Sequence, residues 1–416
     1  MRGVIDSSVM VIQRTTAWVS SHLLCFLVCP NKGFGFGPFP DDILINILSR
    51  LPADAVLRCR KVCRHWRSLT SSTDFIALQN QRAPSVLLVH QHQSSDAIYM
   101  RSRYYVYDAP AKKLRRISFK SKFGFEGRAK QFTRVSLSGA CGPLLHYRVH
   151  GNYNGWWGIH NFAFNLFTRQ LGALKMRGDG YKGVCGMFFN EPRNKYNYLY
   201  MLRNSKESFR FYVYSLDSRT DEEIACSSFL CQLCSGRSPV VVNRALYLMV
   251  YPFGADKDDC KHAVLVFEMD SGNFHTLPHP EFECPRTELH HIDMHLFVHD
   301  GHLCMCHSDL VRGHLDLWIL EDYANWHWVP LASTITLPVL EDPSIPYEIY
   351  SVRNDELLVF WYPSLYIVNL KDVETVEEIK IPRLDSECCV ELVVYKSTLV
   401  APPLVWDESK PPLFRL

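Results

Sequence analysis

Six histidines fall close together at His290, His291, His295, His299, His302 and His307, with Asp293 and Asp300 between them. Imidazole and carboxylate are ordinary zinc ligands, and strand alternation could bring some of them to one face. Their spacing matches no metal motif, and histidines on exposed connections explain the cluster better. Fifteen cysteines are scattered through the chain; the nearest approaches to metal pairs are Cys231-x-x-Cys234, Cys304-x-Cys306 and the adjacent Cys388-Cys389. No second pair stands at structural zinc spacing, so buried reduced thiols are expected. Asp41-Asp42 and Asp258-Asp259 are carboxylate pairs better suited to helix capping or solvated loops than to acid–base work. The Gly33–Gly37 run (GFGFG) lacks the strand–turn–helix context of a phosphate-cradling loop, and no Gly-x-Ser-x-Gly elbow occurs. No catalytic residue, no metal site and no cofactor is expected.

Composition narrows the classes further. The 416 residues suit two to three domains with a sizeable core. With 45 Lys and Arg against 43 Asp and Glu, the formal charge is +2, which gives no electrostatic case for nucleic acid or an acidic membrane. The apolar run Ala17–Cys29 faintly resembles a signal peptide but is too short to span a bilayer comfortably. Residues 1–37 are expected to be a non-essential extension, disordered or an upstream start in the gene model.

The elements that could position a site are of two kinds. Pro38–Leu78 carries helical patterning. Asp41 or Asp42 is placed to cap a first helix, Ile43, Leu44, Ile47, Leu48 and Leu51 form one apolar stripe, and Pro52 ends it. Asp54 is placed to cap the next segment, which carries Val56, Leu57, Val62, Trp66 and Leu69, with Arg58, Arg60, Lys61, Arg64 and Arg67 on the polar side. Three short helices cannot bury this apolar surface among themselves. A fully buried Ile or Leu stabilises by about 1.5–3 kcal/mol, so the segment requires a partner.

From about Ser85 onward the pattern is strand-like and it repeats. A bulky, any, apolar triplet begins at Tyr107, Phe164, Tyr214, Phe267, Trp318 and Val368, at intervals of 57, 50, 53, 51 and 50 residues. Ten or eleven positions after each stands an apolar anchor: Ile117, Leu174, Ile224, Leu277, Trp328 and Ile379. Strand, turn and strand at that separation is a hairpin. Further apolar strands precede several of the hairpins at Tyr198–Leu202, Leu246–Val250, Leu303–Met305 and Leu357–Phe360. A unit of about fifty residues that cannot bury both faces alone is the signature of a β-propeller blade. The chain is therefore expected to be mainly β, with a small α motif at residues 38–80 and a roughly six-bladed β-propeller over 84–416. The run Val390–Val400 is expected to pair with the first blade and close the ring.

At this point the residues resemble a known family. Phe39–Leu44, Ile47–Pro52 and Leu57–Arg67 match, in order, the three pieces of the F-box, in wording closest to the plant F-box proteins. Asn161–Leu174, Asn243–Leu248, His262–Leu277, Asp316–Val329 and Asp355–Trp361 resemble the F-box-associated domain found behind it. Phe167 stands where that family usually begins a Pro-x-Thr turn, which marks the second blade as degenerate. The resemblance implies that the helical motif docks on a Skp-type adaptor and, through it, a cullin scaffold. It implies that Pro40, Ile43, Leu44, Ile47, Leu48, Val62 and Trp66 form or support the adaptor face.

Tyr153, Trp156, Trp157 and Tyr181 lie in a Gly- and Asn-rich region, Gly151–Gly183, that reads as a long connection of the second blade. Trp156 and Trp157 are the candidate target-binding residues, as rim anchors of this loop; strand residues packed between blades would look the same. The expected function is target recognition for an SCF-type ubiquitin ligase, in the cytoplasm or nucleus, without bond chemistry in this chain, without a cofactor, and without nucleic acid or membrane as partner. The alternative is a glycan- or small-ligand-binding, or hydrolytic, propeller whose F-box works outside such a complex.

Overall fold

The computed structural model describes residues 40–83, 85–93, 99–100, 102–117, 123–124, 132–153, 156–168, 171–174, 176, 182–193, 195–203, 209–227, 231–233, 239–252, 263–280, 294–309, 313–336, 347–353, 355–382 and 388–399. The extension 1–37 lies outside them, as do His290, His291, Asp293, Cys234, Tyr181 and the Asp258-Asp259 pair.

Four helices open the described chain: α1 (Asp41–Leu48), α2 (Ala53–Cys59), α3 (Arg64–Ser71) and α4 (Thr73–Arg82). This is one more than the sequence pattern suggests. Ser72 adopts an extended backbone and its hydroxyl accepts from the Phe75 amide at 3.2 Å, which starts α4 as a separate helix. The expected aspartate caps are not used. Pro40 and Pro52 occupy the N-cap positions, with no side-chain cap, and Asp41, Asp42 and Asp54 sit inside the first turns. There they favour the positive end of the helix dipole rather than closing it. The first helix also ends earlier than Pro52 requires, at Leu48, with Ser49 as its C-cap.

The strands build six blades. Blade 1 uses β1 (Ser85–Gln93), β3 (Ser102–Asp108) and β4 (Lys113–Ile117), while β2 (Tyr99–Met100) and β5 (Phe123–Gly124) form a small ribbon beside it. Blade 2 is β6 (Phe132–Cys141), β7 (Leu144–Tyr153), β8 (Trp156–Phe164) and β9 (Leu171–Leu174). Blade 3 is β10 (Lys182–Asn190), β11 (Lys195–Arg203), β12 (Phe209–Ser215) and β13 (Asp221–Ser227). Blade 4 splits its innermost strand into β14 (Cys231–Leu233) and β15 (Val240–Val242), both paired to β16 (Ala245–Pro252), followed by β17 (Val264–Glu268) and β18 (Phe274–Leu277). Blade 5 is β19 (Met294–His299), β20 (His302–Asp309), β21 (His314–Asp322) and β22 (His327–Pro330), with β23 (Ile335–Thr336) added to β21. Blade 6 is β24 (Tyr347–Arg353), β25 (Glu356–Trp361), β26 (Ser364–Asn369) and β27 (Asp372–Lys380). The last strand, β28 (Cys388–Lys396), returns to pair antiparallel with β1 and supplies the innermost strand of blade 1. All six sequence hairpins are present as the outer strand pairs, and the ring closes as the sequence pattern expects.

Each seam between blades has its own apolar cluster because successive side chains of a strand point to opposite faces. On β1, Leu87 and Val89 pack with Leu358, Phe360 and Ile367 of blade 6, while Leu88 packs with Tyr147 and Phe162 of blade 2. Blade 2 is complete rather than degenerate. The Asn165 side-chain oxygen accepts from the Phe167 and Thr168 amides at 2.9 and 3.0 Å and makes the turn that Pro-x-Thr would have made. Phe167 then turns inward, buried against Tyr395 of the closing strand with ring centres 6.0 Å apart.

The two rims differ. β28 ends at Lys396 opposite Ser85, where β1 begins, so the helical segment ending at Arg82 sits on that rim. Tight turns join strands there, such as Asn243-Arg244 and Asp300-Gly301, whose positive φ values of 49°, 60°, 47° and 78° suit two-residue hairpin turns. The β7–β8 connection lies at the opposite rim, since β7 starts at Leu144 beside the helical segment's rim and ends at Tyr153.

Candidate docking face and opposite rim

The helical segment has an inner and an outer side. Leu44, Leu48, Leu51, Val56, Trp66 and Phe75 share one buried cluster with Leu88, Leu137, Tyr147, Phe162 and Tyr395 of blades 1 and 2. Trp66 is 2% exposed and Leu48 3%. The partner demanded by the sequence is thus, on this side, the propeller itself.

Polar bonds fix the seating. The Ala53 amide donates to the Ser397 carbonyl and hydroxyl oxygens at 3.1 and 3.0 Å. Gln79, fully buried, donates through Nε2 to the carbonyls of Leu51 and Ser397 at 3.1 Å each, and its Oε1 accepts from the Leu399 amide at 3.1 Å. Arg115 of β4 donates to the Asp54 carboxylate at 2.8 Å. Asp54, expected as a cap, is instead a tether between α2 and blade 1.

The outer side keeps apolar groups near solvent. Pro40 is exposed, and Ile43, Ile47 and Val62 are half-buried. Ile43 and Ile47 stand four residues apart on α1 and so share one helix face. His65 Nε2 and Asp41 Oδ1 lie 2.8 Å apart, which brings the start of α3 to the start of α1. Pro40 and Ile43 lie within two residues of that contact on α1, while Val62, three residues before His65, also packs against the cluster seated on the propeller. Arg58, Lys61, Arg64 and Arg67 are exposed, while Arg60 turns in to the Thr70 carbonyl at 2.6 Å. Of the seven residues expected at an adaptor face, four border solvent, and Leu44, Leu48 and Trp66 are buried in the cluster shared with the propeller.

Trp156 and Trp157 lie on β8, paired with Tyr153 and Asn152 of β7. Part of the region read as a long loop is therefore a strand hairpin, since β7 and β8 stay paired up to Tyr153 and Trp156. Its turn end is on the rim away from the helices. The side chains of Trp156 and Trp157 lie outside the described residues.

The described members of the histidine cluster do not converge. His295 is buried with its ring centre 4.1 Å from that of Tyr347, and His299 Nδ1 lies 2.9 Å from the Ser351 hydroxyl. Four positions along one strand separate them, roughly 13 Å. His302 faces His299 across a tight turn, and His307 lies opposite Met294. Cys304 and Cys306 belong to the apolar seam of blades 5 and 6, where burial pushes the Cys304 thiol up to about 12. A pocket of about 270 Å³ between blades 3 and 4 is lined by Phe189, Asn190, Glu191, Val242, Arg244 and Asp270, and two of its charged groups, Arg244 and Asp270, form an ion pair at 2.5 Å. Among the described residues no helix is long and apolar enough to cross a membrane.

Comparison with known proteins agrees with the helical reading. Residues 38–77 match the F-box domain model and are an F-box domain. An F-box protein of Arabidopsis thaliana is 24% identical over 320 residues, covering 73% of this chain and 63% of the relative. A second Arabidopsis thaliana F-box protein is 44% identical over 52 residues, covering 12% of this chain and 14% of that protein. The chain thus spans less than two thirds of the length of these relatives. Among solved structures, a 6-phosphogluconolactonase described as putative, from Bacteroides uniformis, is 12% identical with a TM-score of 0.38, covering 74% of this chain and 99% of that one. A Trypanosoma rangeli sialidase is 14% identical with a TM-score of 0.42, covering 70% of this chain and 53% of that one. Likenesses this distant bear on neither the site nor its chemistry.

Proposed function

We propose that this chain, an F-box domain seated on a six-bladed propeller, is the target-recognition subunit of an SCF-type ubiquitin ligase. F-box domains generally bind Skp-type adaptors. The observation that carries the reading is the F-box match at residues 38–77, joined to an outer face where Pro40, Ile43, Ile47 and Val62 stay partly open to water. The inner face of the same helices is already spent on the propeller. An adaptor on the outer face would link the chain to a cullin scaffold, and a target protein on the opposite rim, around Trp156 and Trp157, would be held at a fixed offset from it.

Fixed offset is the mechanism. The Gln79, Ala53 and Arg115 bonds leave the F-box little freedom relative to blade 1. A target on the rim is then presented at high local concentration to the ubiquitin-carrying enzyme on the scaffold. This chain breaks no bond itself and needs no cofactor for that role. It works where adaptor and scaffold are, in the cytoplasm or nucleus.

Reconstitution tests the reading. The full chain, a Skp-type adaptor and a cullin should co-elute as one complex, and bound target should gain ubiquitin only when all are present. A well-folded chain that never enters the complex removes the reading; entry without ubiquitin transfer to any bound protein reduces it to a scaffold.

A further inference from the structure

On β1, His90 and His92 alternate onto the face that meets blade 2, and Glu391 of the closing strand lies opposite His90 in register. His90 Nδ1 and His92 Nε2 lie 3.2 and 3.6 Å from the same Glu391 oxygen. One ligand atom from each of the three residues falls within 4.8 Å of the others. Donors at zinc distances of about 2.0–2.1 Å in a tetrahedron stand about 3.3–3.4 Å apart, so the two histidine–Glu391 separations are close to a coordination edge, and the two imidazoles would have to draw closer around an ion.

We propose that His90, His92 and Glu391 bind one divalent transition metal ion of the zinc type, which staples the closing strand β28 to β1 and so locks the propeller ring. The site is distinct from the histidine cluster of blade 5 and does not depend on the adaptor reading.

Three observations support a built site. His92 is 4% exposed, and both of its ring nitrogens are buried without a hydrogen bond. An imidazole so placed costs stability unless something takes its lone pair, and metal at Nε2 would do so. His90, fully buried, is oriented from behind: its Nε2 lies 3.0 Å from the Ser102 hydroxyl, and its ring stacks on Tyr104 at 4.8 Å. In the tautomer whose Nε2–H donates to Ser102, Nδ1 turns its lone pair towards the Glu391 oxygen 3.2 Å away, and a metal ion between them would replace the hydrogen bond that the other tautomer makes there. The Glu391 oxygen also accepts from the Leu137 amide of blade 2 at 2.7 Å, which fixes the carboxylate while leaving it a lone pair.

The test uses the full chain purified without chelator. Metal content by mass spectrometry should give one zinc per chain, retained through gel filtration. His92→Ala and Glu391→Gln should each weaken zinc binding at least tenfold in competition with a chromophoric chelator. Glu391→Gln keeps the side-chain shape and an oxygen for the Leu137 amide, so it carries the test if His92→Ala does not fold. Folded wild-type chain that takes up no stoichiometric zinc overturns the proposal. So does zinc bound as tightly in Glu391→Gln as in wild type, which would place the ion elsewhere.

Discussion

Gln79 and Ser397 stand 318 positions apart in sequence, yet the Gln79 side-chain amide donates to the Ser397 carbonyl at 3.1 Å. The same side chain bonds Leu51 and Leu399, so one buried residue joins the F-box to the chain just beyond the ring-closing strand. The F-box domain and the closure of the ring thus share one buried polar joint.

Gln79→Ala should lower stability by about 3 kcal/mol, since it leaves the Ser397 and Leu51 carbonyls and the Leu399 amide short of a buried partner. Urea unfolding followed by tryptophan fluorescence reads the loss. A shift under about 0.5 kcal/mol, no more than an ordinary surface change gives, would mean the joint does not hold the two parts together.

Leu48→Ala and Trp66→Ala should behave as core deletions. Both residues lie in the cluster shared by the F-box and blades 1 and 2. Losses of about 2–5 and 3–5 kcal/mol are expected, with adaptor capture falling only as the fold falls. Stable, folded variants that lose adaptor binding would instead place these side chains in the interface.

His146 makes stability depend on pH. It is buried in the seam of blades 2 and 3, with its Nε2 3.0 Å from Asn161 Oδ1 and its ring edge on Tyr198. Burial first, then the Arg148 charge, lower its value to about 4, against the opposing hydrogen bond to Asn161. The unfolded chain therefore takes up a proton that the native chain refuses, and stability falls as pH drops from about 6.5 towards 4. The full loss from this residue is about 3 kcal/mol. His146→Gln should flatten that part of a stability–pH curve measured in urea; an unchanged slope would assign the titration to another group.

How much of this the sequence could disclose follows the range of the interactions. The six hairpins were legible because strand, turn and strand are local, and Tyr107 with Ile117 or Phe267 with Leu277 mark each one in a dozen residues. The closing strand was legible because Val390–Val400 was apolar and otherwise unused. The two sides of the F-box were not separable, since Ile43 and Leu44 are adjacent and equally apolar, and only the propeller decides which is buried. The His90–Glu391 contact spans 301 positions and has no spacing to read. The proline caps at Pro40 and Pro52 were missed because an aspartate in the first turn looks like a cap.

Trp156→Ala with Trp157→Ala should reduce target capture while leaving adaptor capture unchanged, because the β7–β8 turn lies on the rim away from the F-box. Affinity purification of the wild-type and variant chains, compared by mass spectrometry, measures both at once. Equal recovery of targets would move recognition to other connections of that rim.

The most direct measurement is adaptor affinity of the folded full chain with Ile43→Arg and Ile47→Arg together. Both side chains are half-buried on one face of α1 and neither belongs to the cluster seated on the propeller. The unfolding midpoint should stay within a few degrees of wild type while affinity for a Skp-type adaptor falls at least a hundredfold. Wild-type affinity in a folded double variant would contradict the docking face, and no adaptor binding by the wild-type chain would contradict the receptor role itself.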